Sequence, residues 1–455
     1  MVSKASSNTH WQQRDLRHIW HPCTQMQDHE TIPLLPIKKG QGVWLEDFEG
    51  KRYLDAVSSW WVNIFGHANP HIAQAIAEQA QQLEHVIFAG CSHEPVITLT
   101  ERLVQLAPPG LERVFFADNG SAAVEVALKL SYHYWYNQGQ PKRHRYLTIS
   151  NGYHGETLGA LAVGDLGIYR DIYSPLLLNP LVVPAPDCTG LPAEQWEAAS
   201  RAAFLHMEQA LAENHQDICA VILEPLLQCA GGMRMYHPVY LKLLREACDR
   251  YGVLLIADEI ASGFGRTGTL FACEQADITP DIMCLSKGIT GGFLPLAAVL
   301  LKENLYQAFY EDYNKGRSFL HSHSYTGNPI ACAAALATLD LFEATPVLDH
   351  NQIKGQRMED QVQALRQHPH VGDIRRLGMV MAVELMADPQ KDTPYPWQER
   401  RGLKAYQHAI KRGALLRPLG NVLYCMPPYV IDNDEIDFMT QVLMESVEVA
   451  TGVAL

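Results

Sequence analysis

The chain reads as an α/β enzyme, with a large domain on a mostly parallel central sheet plus a smaller α+β domain. Between Val114 and Leu285, short apolar runs alternate with helical patterns, as repeated strand–helix–strand units require. From about Glu343 the order changes to helix, hairpin, helix and strand, which suits a second unit of α+β type. At 455 residues, 47% hydrophobic and 19% charged, the chain can bury more than one core and has the composition of a globular enzyme. The expected division is 1–70 as an N-terminal segment contributing to the small domain, 71–342 as the large domain, and 343–455 as the C-terminal small domain.

Composition excludes several function classes. Thirty-six Lys and Arg against 50 Asp and Glu leave a net charge of −14 with no long run of either sign, so a nucleic acid partner is not expected. Met1 to Arg17 is polar and no uninterrupted apolar run is long enough for a bilayer, so the expectation is a cytoplasmic protein with no membrane partner. Ten cysteines occur without a Cys-x-x-Cys, which argues against a zinc ribbon or a redox dithiol and for buried, reduced thiols. His321 and His323 form a His-x-His without a further ligand at helical spacing, so no metal site is expected.

Taken in order, the arm His18 to Glu30 is aromatic and histidine-rich without clear periodicity. Two alternating runs about Glu49-Gly50 predict a hairpin, which leads into Trp60-Trp61. Consecutive residues of an extended segment face opposite ways, so one of the two tryptophans is expected to face solvent or a ligand. His71 to Leu83 reads as an amphipathic helix. Val114 to Ala117 is a strand, followed by Asp118-Asn119-Gly120-Ser121 and a helical run. Strand, Gly-Ser turn and helix N-terminus make an anion site, although an ordinary serine cap explains Ser121 equally well. Tyr146 to Ser150 is a strand that would set Tyr153 and His154 at its carboxyl end, where an aromatic could lie on a flat ring. A helical connector, 187–216, precedes the strand Ala220 to Leu223. After Gly292, an apolar strand is expected to return to the surface. Ser324 and Thr326 stand just before a long small-residue helix and could be its caps. Arg417 lies between the last helix and strand, where a guanidinium suits a carboxylate.

The densest chemistry lies between Val253 and Gly292. A buried-type strand, Val253 to Ala257, ends in Asp258-Glu259, and a second, Ile282 to Leu285, ends in Ser286-Lys287-Gly288. Ligands collect at the carboxyl ends of strands in open α/β sheets, so the acid and the lysine could face one cofactor. Pyridoxal 5'-phosphate (PLP) needs that pair, an amine for a Schiff base and an acid for the pyridine nitrogen. Gly263, Gly265 and Gly268 also fit a dinucleotide fingerprint, but no helix opens on them and the turn begins beyond the strand end.

DEIASGFGRTG (Asp258 to Gly268) followed by LSKGITGG (Leu285 to Gly292) resembles the central signature of the class-III, fold-type I PLP-dependent aminotransferases. The resemblance runs from His18 to about Tyr429. It implies a ping-pong transaminase in which Lys287 carries PLP and moves the proton, Asp258 holds the pyridine nitrogen, and Asn119, Gly120 and Ser121 hold the phosphate. It also implies a homodimer whose 319–328 loop crosses to the neighbour, with His323 and Ser324 at its cofactor and Ser322 near its substrate. Tyr153 is implied against cofactor and substrate, with Trp60 as a wall. HIWHP, SSWW, NGYHGET, GGMRMYHP and RPLG resemble the biotin-biosynthesis branch. That branch implies 8-amino-7-oxononanoate as amino acceptor, with Arg417 on its carboxylate, and S-adenosylmethionine as donor. Members of the branch commonly carry tyrosine at the place of Cys23, and the HSYTGN loop resembles relatives that use L-lysine, so lysine is the alternative donor. A class-III enzyme for ornithine, 4-aminobutyrate or a diamine would share Asp258 and Lys287 but lack the tryptophan pair. Glu156, Glu224 and Arg266 fall in the motifs without an implied role.

Overall fold

The computed structural model describes residues 7–454; Met1 to Ser6, part of the polar N-terminal stretch, lie outside the described residues. Seven strands form the main sheet. In chain order they are β1 (Leu111–Ala117), β2 (Arg145–Ile149), β3 (Leu181–Val183), β4 (Ile218–Leu223), β5 (Leu254–Asp258), β6 (Ile282–Leu285) and β7 (Ala297–Lys302). Across the sheet they run β1-β7-β6-β5-β4-β2-β3. From β6 to β3 every pairing is parallel, while β7 is antiparallel to both β6 and β1. This is the mostly parallel sheet that alternating strands and helices predict. The strand after Gly292 does not return to the surface. Ala297 to Leu301 are all buried, because a continuous apolar run has no polar face to turn to water and is inserted between two neighbours.

Register sets the site. Ala257 of β5 lies beside Leu223 of β4, and Asp258 beside Cys284 of β6. Glu224, Asp258 and Lys287 therefore emerge from three adjacent strands at one sheet edge. Neighbouring strands are about 4.8 Å apart, so these groups must share a single cleft.

Two further four-stranded sheets and a short two-stranded one, Leu227–Gln228 with Arg234–Met235, complete the strand structure of the described residues. Trp44–Asp47 and Arg52–Asp55 form the predicted hairpin, with Ile37–Gln41 beside it. Ala414–Leu415 joins Arg52–Asp55 in parallel. Val380–Asp388 pairs antiparallel with both Val371–Leu377 and Val422–Cys425. No single helix among the described residues is long and apolar enough to cross a membrane. Helices Pro329–Ala344 and Val347–Gln361 meet that test only together, across a 77° bend, and the first buries Ala331, Ala334, Ala335 and Ala337 in the core. Eight of the ten cysteines are buried, and all ten are free.

Two capping expectations are corrected. Asn119, not Ser121, caps the helix Gly120–Asn137: its side chain accepts from Ala122 N at 3.0 Å. Asn328, not Ser324 or Thr326, caps Pro329–Ala344 by accepting from Ala331 N at 3.0 Å. Asparagine reaches the third amide from the extended N-cap position as serine does. Asn328 directly precedes the helix, two positions nearer than Thr326, and Thr326 Oγ1 donates instead to His323 O at 2.9 Å.

Candidate active site

A cavity of about 220 Å³ opens at the carboxyl edge of β4, β5 and β6. Its floor is polar. Asp258 is buried, with Oδ2 accepting from His154 Nδ1 at 2.7 Å and Oδ1 from Ile260 N at 3.1 Å. A carboxylate can only accept, so the histidine proton sits on Nδ1, and His154 Nε2 is left buried without a partner. Glu224 is equally buried and accepts from Tyr153 N at 3.0 Å and Cys229 N at 3.1 Å. Desolvation, with Asp258 adding to it, pushes the Glu224 carboxyl up to about 7.

Lys287 begins the turn after β6 with φ +46°. Among the described residues no oxygen accepts from its Nζ, which lies 5.0 Å from the Trp61 ring centroid. Burial lowers its pKa, against the pull of Cys229, Asp258 and Glu224. An amine held this way is nearer its neutral, nucleophilic form than a surface lysine.

The side walls come from the turn at 119–121 and the segment after β2. Because Asn119 caps Ala122, the N–H groups of Gly120 and Ser121 keep no intrahelical acceptor and edge the cavity at the positive end of an 18-residue helix. Ser121 Oγ accepts from Glu156 N at 3.3 Å. Space here is held open by glycine. A Cβ on Gly155, at φ +126°, would fall on Ser121 Oγ, and one on Gly120 would meet Ile260 at 3.0 Å. Tyr153 and Ile260 supply the flat and apolar walls. Amine, acid, free helix-end amides and a glycine-lined cradle fit PLP: Lys287 for its aldehyde, Asp258 for its ring nitrogen, Gly120 and Ser121 for its phosphate.

A second cluster is linked to the cavity through Tyr153. Tyr153 OH donates to Glu156 Oε1 at 3.0 Å, and Cys23 Sγ approaches the same oxygen at 3.8 Å. Arg417 is exposed, donates from Nη2 to Cys23 O at 3.4 Å, and stands 5.6 Å from the Trp60 ring. Burial, then Glu156, push the Tyr153 hydroxyl well above its usual range, and the same two causes raise the Cys23 thiol.

The sequence-predicted residues thus divide into groups. Asn119, Gly120, Ser121, Tyr153, Asp258 and Lys287 line one cavity, and Cys23, Trp60 and Arg417 are linked to it through Tyr153 and Glu156. Ser322, His323 and Ser324 lie in a loop away from both in this single chain, near Lys129, which donates to His321 Nδ1 at 2.8 Å. The expectation of an extended Trp60-Trp61 segment is overturned. Ser58 to Trp61 is a left-handed turn, and Trp61 lines the cavity while Trp60 stands farther out. No local pattern of residues marks such a turn, so it could not be read from the sequence. Glu224 and Ile260 were findable by the strand-end rule that gave Asp258.

Comparison with known proteins agrees with this chemistry. The family described as aminotransferase class-III matches residues 25–447. The chain belongs to the class-III aminotransferases, PLP-dependent transaminases of fold-type I. It is 47% identical over 427 residues to the adenosylmethionine-8-amino-7-oxononanoate aminotransferase of Helicobacter pylori, covering 93% of this chain and 94% of that one. The crystal structure of the enzyme of that name from Methanocaldococcus jannaschii has a TM-score of 0.92 at 35% identity, over 97% of this chain and 99% of that one. An omega transaminase from Pseudomonas jessenii in complex with PMP has a TM-score of 0.91 at 29% identity, over 97% and 98%.

Proposed function

We propose that the chain aminates 8-amino-7-oxononanoate with S-adenosylmethionine as amino donor, in biotin biosynthesis, by a ping-pong transamination. The observation that supports it is a cavity lined by Lys287, Asp258 and Tyr153, with Cys23, Arg417 and Trp60 linked to it through Tyr153 and Glu156. Relatives at 36–47% identity over nearly the full chain bear the adenosylmethionine–oxononanoate name, which supports the same pair of substrates.

When bound, PLP supplies an electron sink for the carbanion at the substrate carbon. The chain supplies the rest. Asp258, bonded to His154 Nδ1, would hold the ring nitrogen. Gly120 and Ser121 take the phosphate on free amides at a helix N-terminus. Lys287 Nζ, desolvated, would take the proton from the donor's amine-bearing carbon and pass it to the cofactor's aldehyde carbon, and the acceptor half-reaction would run this transfer in reverse. Tyr153 and the tryptophans exclude water, and Arg417 pairs with the acceptor's carboxylate. Cys23 edges the donor's path.

The active form is a homodimer in this reading. Leu320 and Tyr325 are exposed on the 319–328 loop, as an interface loop would leave them in one protomer, and Ser322, His323 and Ser324 then serve the neighbouring site. Residues 71–342 form the cofactor-binding domain, 343–455 the small domain, and 1–70 contributes strands to the latter. The enzyme works in the cytoplasm.

The test is a half-reaction. The PLP-loaded protein is mixed separately with S-adenosylmethionine and with L-lysine, and the cofactor absorbance is followed. Bleaching by S-adenosylmethionine, reversed by 8-amino-7-oxononanoate, is expected. Bleaching by lysine alone would replace the donor and keep the acceptor. Bleaching by neither would refute the substrate assignment.

A further inference from the structure

The two tryptophans stand on a backbone that L-residues avoid. Ser58, Ser59, Trp60 and Trp61 have φ of +51°, +47°, +71° and +74°, a left-handed turn without a glycine. Such a turn persists only where its surroundings over-determine it. Besides Arg266, which donates to Trp61 O and Asn63 O, several of the groups that hold it converge on Asp55, a buried carboxylate at the end of Arg52–Asp55. Asp55 Oδ1 accepts from Val57 N at 3.3 Å, and Oδ2 accepts from the Ser59 hydroxyl at 2.7 Å. His67 Nε2 meets the same Oδ2 at 3.0 Å. The carboxylate can only accept, so that ring nitrogen carries a proton, and Asn63 Nδ2 donates to the other at 3.1 Å. At the start of the turn, Ser58 Oγ donates to Met426 O at 2.6 Å.

What the turn delivers is direction. Trp61 goes inward, with its ring 5.0 Å from Lys287 Nζ and its indole N–H donating to Tyr424 OH at 2.9 Å. Trp60 goes outward to the Arg417 guanidinium. Neither indole makes a hydrogen bond to Asp55, Ser59 or His67, so the link between anchor and wall is the backbone itself.

We propose that Asp55, acting through Ser59 and His67, is the positioning residue of the two-tryptophan wall, so that the acceptor's subsite is shaped by a carboxylate that touches neither cofactor nor substrate. This rests on the reading of Trp60, Trp61 and Arg417 as the substrate wall. Ser59 is exposed while Asp55 is buried, so Ser59→Ala removes the anchor in a fold that survives even where Asp55→Asn does not.

The experiment compares wild type, Ser59→Ala, Ser59→Gly and Asp55→Asn as PLP-loaded enzymes, by hydrogen–deuterium exchange and steady-state kinetics. Loss of one charge-assisted hydrogen bond corresponds to about tenfold faster exchange across residues 56–64. Exchange in β5 should stay unchanged. The acceptor's KM should rise about five- to tenfold while kcat and the donor half-reaction hold within about twofold. Glycine adopts positive φ freely but cannot bond Asp55, so Ser59→Gly should behave as Ser59→Ala does. Wild-type exchange and KM in Ser59→Gly would mean that the torsion alone sets the wall, and would overturn the proposal. Unchanged exchange in Ser59→Ala would do the same. A wild-type enzyme inert toward the acceptor would refute the functional reading instead, leaving exchange to judge the anchor.

Discussion

Glu224 is a buried carboxyl with two amide donors and, among the described residues, no cation bonded to it, and its protonation is written into the stability of the fold. Its carboxyl is raised from the ordinary 4.5 to about 7, first by desolvation. Between those values the folded protein holds a proton that the unfolded chain has released. Its contribution is therefore full below about pH 4.5 and is lost as pH rises through about 7, on the order of 3 kcal/mol. Glutamine cannot ionise, so Glu224→Gln should remove this slope. The melting temperature of apo wild type should fall relative to that of the variant between pH 5 and pH 8; a difference constant with pH would count against the raised carboxyl. Arg417 is the opposite case, exposed and lightly tied to Cys23 O. A charge-assisted pair with a carboxylate contributes about 1.5–3 kcal/mol, so Arg417→Ala should raise the acceptor's KM about 10- to 100-fold and spare the donor's half-reaction. An unchanged KM would remove Arg417 from the site.

Among elements, the turn between β1 and its helix and the segment after β2 depend on each other for space. Gly155 at φ +126° presses against Ser121, and an alanine there meets both a forbidden torsion and a side chain already in place. Gly155→Ala should weaken PLP binding at least about tenfold, read by absorbance titration, since displacing Ser121 disturbs the free helix-end amides. Wild-type affinity would show that the cradle yields. The left-handed turn at Ser58 to Trp61 is the costlier element. Each such residue without glycine costs about 1 kcal/mol or more, which the anchoring at Asp55, Met426 and Arg266 must offset.

Across the whole molecule, Arg266 joins parts that the sequence keeps far apart. Its buried guanidinium donates to Pro427 O at 3.0 Å, Trp61 O at 3.2 Å and Asn63 O at 3.1 Å, and lies 5.0 Å from the Tyr429 ring. It thereby ties the glycine turn after β5 to the tryptophan segment and to the chain beyond Val422–Cys425. Burial lowers its pKa, and among the described residues no carboxylate bonds to it; three carbonyls do that work. Arg266→Ala strands those carbonyls, so unfolding by denaturant should show a loss of about 3 kcal/mol or more. A loss below about 0.5 kcal/mol would make the clamp dispensable.

The order of strands and helices, the parallel sheet and the pairing of Asp258 with Lys287 were legible because each rests on local pattern. A fully apolar run between turn residues can only be a buried strand, and the next residues in the chain can only lie at that strand's end. The turn at 119–121 beside the cavity was legible for the same reason, although the cap proved to be Asn119 and not Ser121. Trp61 over Lys287, the insertion of β7 antiparallel inside the sheet, and the Arg266 clamp were decided by tertiary structure alone. Each of these is a choice between partners more than ten residues apart, and local propensity carries no information about which distant group completes a hydrogen bond or holds a strained torsion in place.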